Sequence, residues 1–290
     1  MRLSLILLPR GLHGTREALS AIGQAAQQAG LARVWLGDHV VYPVEIRSTY
    51  PGTGGALAFN GATPQLDLTV AMMLVAMASE TVGVGSAVVV LAQRNPVAFA
   101  KQMASLDLVT GGRVALGVGV GWCAEEFEAL GVPFARRGAR TDEYIQALRT
   151  LWTEPQPALE GEFIRFAPVH CNPKPAQAGG PPIWIGGYGE AAHARAARLG
   201  DGFIAGARLS DPEEAARIRR DIRRRAADLG RADADRINLA VSFGLPDRPA
   251  FAARLKEMRD AGVDEAAIPL QGRSLAEIRD FVLGIPDLVA

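Results

Sequence analysis

Cysteine is nearly missing from this chain: Cys123 and Cys171 are the only 2 in 290 residues, far apart and in no CxxC pair. That excludes a disulfide framework and a thioredoxin-like motif, and a reduced, cytoplasmic setting is expected. Lysine is as scarce, standing only at Lys101, Lys174 and Lys256. An excess of charge of either sign is absent too, because 31 basic residues balance 31 acidic ones. The balance gives no electrostatic ground for nucleic acid or an anionic membrane surface as a partner. No run reaches the roughly 20 apolar residues that span a bilayer. The opening "MRLSLILLPRG" is apolar only briefly, and Pro9 and Arg10 end it without a small-residue cleavage site, so a first buried strand is expected there. His13, His170 and His193 make no metal spacing with one another, and no zinc or other metal is expected.

What is present is apolar bulk. Hydrophobic residues make up 49% and charged residues 21%, enough for a large core. Short apolar runs alternate with longer amphipathic ones. The runs Leu3–Leu8, Arg33–Leu36, Val82–Val89, Arg113–Val118, Pro182–Ile185, Gly202–Ala205, Ile237–Phe243 and Glu265–Pro269 read as strands. Helices between them open on start signals such as "NPVAFAKQMASLDLV" and "DPEEAARIRR". Strands apolar throughout belong to a parallel sheet covered by helices. About eight βα units in one chain of this length predict an α/β fold, a (β/α)8 TIM barrel over residues 1–290, in preference to an open doubly wound sheet. Two segments are too long for ordinary connections and predict insertions after strands 2 and 4: Gly37–Gly61, a loop over a site, and Thr153–Pro181, where "ALEGEFIRF" reads as a hairpin.

Four stretches could carry chemistry. "VWLGDHVVYP" puts Asp38 and His39 side by side where the second strand ends. Histidine suits proton traffic near neutral pH, and a carboxylate beside it can fix its tautomer; a capping Asp with a buried His is the structural alternative. "ALGVGVGW" alternates Gly117, Gly119 and Gly121, which lets a flat ring or phosphate approach the main chain, though it is not the dinucleotide fingerprint. "PPIWIGGYGEAAHARAARLGDGF" runs a strand through Gly186 and Gly187 into a helix, and bare amides there form an anion site that needs no basic residue. "GVGSAVVVLAQRNP" has Gly85 and Ser86 mid-strand, which permits a bulge or contact with a flat ligand. Arg94 is expected to pair with a helix carboxylate, Glu125, Glu126 and Glu128 to form mostly a solvated face, and Arg136, Arg137 and Arg140 to make structural ion pairs.

Taken in order from about residue 30 to 205, "WLGDHVVYP", "VGVGSAVVVLAQRNPVAFAKQMASLDLVTGGRVALGVGVGWCAEEFEALGVPFARRGARTDEYIQALRTLW", "PKPAQ" and "PPIWIGGYGEAAHARAARLGDGF" resemble the bacterial-luciferase-like superfamily, in particular its F420-dependent branch. The resemblance implies a barrel holding a flavin or deazaflavin ring, usually in a homodimer. It places Asp38 and His39 near the reactive ring, and a non-proline cis peptide behind it near Ser86, Ala87 and Val88. It puts a ring-seating loop at Gly119, Val120 and Gly121, and phosphate-binding glycines at Gly186 and Gly187 with Tyr188 beside them. One departure stands out: sugar-phosphate dehydrogenases of the family carry a glutamate where this chain has Trp122. That argues against a sugar phosphate, suggests a more apolar substrate pocket, and leaves His39 as the proton donor or acceptor.

The expectation is therefore an enzyme passing hydride between coenzyme F420 and a small organic substrate, with His39 handling the proton and Asp38 orienting it. The alternatives are an FMN-dependent monooxygenase using O2 and a non-catalytic flavin-binding barrel. A metal-dependent barrel hydrolase would want an HxH pair or a carboxylate cluster at strand ends, and neither is visible.

Overall fold

The structure is a computed structural model that describes residues 1–52, 61–206, 209, 211–242 and 248–288. Eight parallel strands close into a barrel in the spatial order β1-β10-β9-β8-β7-β4-β3-β2. In chain order these are β1 (Arg2–Leu7), β2 (Arg33–Leu36), β3 (Gly83–Val90), β4 (Val114–Gly119), β7 (Ile183–Gly187), β8 (Gly202–Ala205), β9 (Asn238–Ser242) and β10 (Glu265–Pro269). The expected α/β barrel is what forms. The hairpin read in "ALEGEFIRF" is also there, as β5 (Leu159–Glu160) against β6 (Arg165–Phe166). Residues 53–60 of the first insertion, and Phe243 of the expected seventh barrel strand, lie outside the described residues.

Around the barrel run α1 (Arg16–Gln28), α2 (Leu68–Met77), α3 (Pro96–Val109), the short α4 (Ala124–Ala129), α5 (Arg137–Thr153), α6 (Glu190–Leu199), α7 (Pro212–Asp228), α8 (Arg248–Asp260) and α9 (Leu275–Leu283). α2 begins at Leu68. Asp67 caps it, accepting from the Thr69 and Val70 amides at 2.8 and 3.3 Å, while Leu66 is drawn back to the Pro9 carbonyl at 3.0 Å.

At the N-terminal end the barrel is plugged. Trp35 and Trp184 meet edge to face with centroids 5.7 Å apart. A Cβ on Gly85 or Gly202 would lie 2.5 Å from one of those indoles, so both glycines make room for tryptophan. Gly85, a candidate for contact with a ligand, serves the floor instead. The fully buried Glu265 ties the floor together, accepting from Ser4 Oγ (2.6 Å), Trp35 Nε1 (2.7 Å) and Arg33 Nη1 (3.0 Å). With this end filled, only the C-terminal end can open.

Candidate active site

It does open. A cavity of about 630 Å³ lies at the C-terminal ends of the strands, within the range of small-molecule and cofactor sites. β2 delivers Asp38 and His39 to its wall, β3 delivers Ala87 and Val88, and β4 delivers Gly119, Val120, Gly121 and Trp122. β7 adds Gly186, Gly187 and Tyr188. Of the cofactor and pocket residues that the resemblance implied, Ser86 alone does not reach the cavity: it is fully buried, and its hydroxyl donates to the Gly117 carbonyl at 2.9 Å.

The peptide between Ala87 and Val88 is cis, where the resemblance had led us to look for one. The pairing of β3 with β4 shifts register between Ser86 and Val89, the irregularity that small mid-strand residues permit. The Val88 side chain lies between two bare strand edges. A Cβ on Gly119 would sit 2.5 Å from Val88 Cγ2, and one on Gly186 would sit 2.4 Å from Val88 Cγ1. Part of the glycine signal in β4 and β7 is thus a packing requirement of this valine.

Gly186 and Gly187 are still strand, in register with Ile204 and Ala205 of β8. The open helix start comes two residues later. Gly189, at φ +76°, is the N-cap of α6 and gives it no side-chain hydrogen bond, whereas α1, α2, α3, α7 and α9 are capped by Thr15, Asp67, Asn95, Asp211 and Ser274. An uncapped first turn beside a cavity presents its amides and the positive end of the helix dipole.

His39 finds its carboxylate far away in the sequence. Its Nδ1 lies 3.0 Å from Glu126 Oε2, 87 residues on, while Glu126 Oε1 accepts from the Val40 amide at 2.7 Å. Glu126 is 1% exposed, and the expected solvated face therefore has one deeply buried member. Burial pushes its carboxyl up, but His39 and the Val40 amide outweigh that and hold it below the ordinary carboxylate range. Asp38 does not orient His39: its Oδ1 accepts from Arg94 Nη2 at 2.7 Å. Burial pushes Asp38 above the ordinary range, with Arg94 pulling the other way. Arg94 reaches the helix carboxylate Asp67 only at 3.7 Å, so its main partner sits on a strand end instead. Only the fold reveals this exchange of partners, since nothing local marks Glu126 apart from Glu125.

Glu125 secures the loop instead. It accepts from the Arg47 and Ser48 amides at 2.8 and 3.1 Å, and Ser48 Oγ accepts from the Ala124 amide at 3.0 Å. Desolvation opposes ionisation of Glu125, but its own backbone amide, the Ser48 hydroxyl and the Arg47 amide bring it down to about 2. The anchored loop carries Thr49, Tyr50 and Pro51 to the cavity, and Tyr50 meets Trp122 edge to face at 5.3 Å. Trp122 in turn stands 6.2 Å from the His39 ring, which also meets the Tyr42 ring at 4.7 Å. Burial raises the Tyr42 hydroxyl to about 12 and the Cys123 thiol to about 11, so neither is a ready base or nucleophile.

Elsewhere, Glu190, His193 and Asp221 bring metal-type donor atoms within 4.8 Å of one another on α6 and α7. Arg225 pairs with both acids, meeting their charge with a guanidinium. Among the described residues no helix is long and apolar enough to cross a membrane.

The profile of the luciferase-like monooxygenase family matches residues 1–265. The chain belongs to that family. It is 30% identical over 267 residues to an uncharacterized protein of Mycobacterium tuberculosis, covering 91% of this chain and 90% of that one. A segment of 113 residues is 39% identical to an FMNH2-dependent dimethylsulfone monooxygenase of Pseudomonas putida, covering 38% of this chain and 31% of the relative. Among solved structures, an F420-dependent secondary alcohol dehydrogenase in complex with an F420-acetone adduct superposes with a TM-score of 0.80 at 15% identity, over 100% of this chain and 99% of that one. At that identity the likeness is one of fold. This luciferase-like chain thus keeps the family's barrel and places its open cavity at the end where such barrels do chemistry.

Proposed function

We propose that this protein is an oxidoreductase that passes hydride between a bound deazaflavin, coenzyme F420, and a small organic substrate, with His39 exchanging the accompanying proton. The observation that carries this reading is one cavity lined by His39 and by Val88 between two glycine edges, with the uncapped α6 starting directly after its lining residue Tyr188. Those features fit a flat ring with an anionic tail: an apolar face for the ring, bare main chain beside it, and amides for the phosphate. When bound, the cofactor supplies the two-electron hydride chemistry that the chain's own side chains lack.

The chain's residues supply the rest. Glu126 accepts from His39 Nδ1, which leaves Nε2 as the atom through which His39 exchanges a proton with the substrate. A substrate that gains hydride at carbon takes that proton on its heteroatom, and in the oxidative direction His39 receives it. Trp122 and Tyr50 give the pocket an apolar wall, and the loop fixed by Glu125 screens it from water. Asp38, neutralised by Arg94, keeps the strand end in place and has no proton role.

FMN in the same seat, working with O2, is the second reading, favoured by the similarity to the dimethylsulfone monooxygenase. The proposal includes a homodimer, a reading supported by Met77, Val109 and Val70, which are at least half exposed on the neighbouring helices α2 and α3. Fluorescence titration of the purified protein with F420 and with FMN tests the reading. F420 is expected to bind more tightly; tighter FMN binding moves the assignment to the second reading, and no binding of either removes both.

A further inference from the structure

Among the described residues, the charges at and just behind the cavity wall are matched with one exception. Asp38 is met by Arg94, and Glu126 by His39. Arg137, the first residue of α5, also lines the cavity, yet among the described residues it pairs with no carboxylate. Its neighbours are engaged elsewhere: Arg136 with Glu162, and Arg140 with the Pro133 carbonyl. The sequence suggested a structural ion pair for Arg137, and among the described residues it has none.

The guanidinium is nonetheless held still. It lies over the Phe134 ring, 3.8 Å from the centroid, and its Nε donates to the Gly121 carbonyl at 2.9 Å. Those contacts use one face and one N–H of the planar group. Among the described residues, Nη1 and Nη2 have no acceptor. A fixed, charged fork at an apolar cavity is arranged for a two-oxygen anion.

Its position indicates which anion. Its Nε holds the Gly121 carbonyl just past β4, β4 pairs with β7, and Arg137 shares the cavity lining with Gly187 and Tyr188, the residues that lead from β7 into α6. Arg137 therefore stands on the β4–β7 side of the rim, where β7 leads into the uncapped start of α6. We propose that Arg137 clamps the anionic tail of the bound cofactor, its fork facing the phosphate opposite the amides of α6, and so makes the site select tailed over tail-less rings. This inference rests on the cofactor reading above.

The test compares wild type, Arg137→Met and Arg137→Lys for binding of FMN and of riboflavin, and of F420 and its ring-and-ribityl form without phosphate, by fluorescence at low and high salt. Arg137→Met should lose at least about tenfold in affinity for the phosphorylated member of the pair that wild type binds, with the tail-less member unchanged. Arg137→Lys, which keeps the charge without the fork, should fall between. Unchanged affinity for the phosphorylated ligand in Arg137→Met overturns the proposal. An equal loss for both members also overturns it, by making Arg137 a mere pin for Gly121 and Phe134. If wild type binds none of the four ligands, the cofactor reading itself fails, an outcome distinct from either of those.

Discussion

The two ends of the barrel each contain a buried glutamate, and they use it differently. At the floor, Glu265 takes hydrogen bonds from Ser4, Arg33 and Trp35 and an ion pair from Arg2, so the carboxylate is fully engaged by its own chain. At the mouth, Glu126 spends one oxygen on the Val40 amide and the other on an imidazole that lines the cavity. Beside it Asp38 Oδ2 is buried without a partner, and the Arg137 fork is open. A closed polar network stabilises a fold, whereas an incomplete one around a cavity is a place for a ligand.

That contrast can be broken by substitution. The largest effect is expected at the mouth: His39→Ala should keep cofactor binding and lose about 10²–10⁴-fold in turnover, measured at saturating cofactor. Unchanged turnover would make His39 part of the wall and nothing more. At the floor, Glu265→Ala should cost about 3–5 kcal/mol in urea unfolding, because Arg33 loses its buried partner and the Trp35 N–H its acceptor. A loss no greater than that of Glu126→Gln would erase the difference between the two ends.

Smaller effects sharpen the picture. Gly186→Ala would place a Cβ 2.4 Å from Val88 Cγ1 and should cost about 1–3 kcal/mol, relieved when combined with Val88→Ala. Glu126→Gln keeps an acceptor for Val40 but removes the negative charge beside His39, so stability should fall by only about 1 kcal/mol while turnover falls further. Its pH dependence has a definite sign. Glu126 sits below its unfolded value of 4.5, so its contribution is full above that pH and is lost as pH falls through the lower folded value. The stability gap between wild type and Glu126→Gln should therefore shrink from pH 7 toward pH 3 in urea unfolding.

The barrel could be read in the sequence because its strands are apolar runs and its helices amphipathic, patterns that depend on neighbours along the chain. Arg33–Leu36, Gly202–Ala205 and Glu265–Pro269 have the expected bounds. The site was legible where motifs are local: the Asp38-His39 pair, the glycine edges and Trp122 all reach one cavity. Partnerships between distant residues were not. The pairing of His39 with Glu126 spans 87 residues and that of Asp38 with Arg94 spans 56, and only closure of the barrel brings them together. Arg137 was hidden for the opposite reason, since a helix start crowded with arginines suggests ion pairs, and only the fold shows that, among the described residues, Arg137 and Arg140 make none.

The most direct measurement of the central claim is a crystal structure of this protein soaked with F420. The account predicts the ring against Val88, within reach of His39, and the tail phosphate between the first amides of α6 and Arg137. Density for the ring outside the C-terminal cavity, or an empty cavity at saturating cofactor, would contradict it.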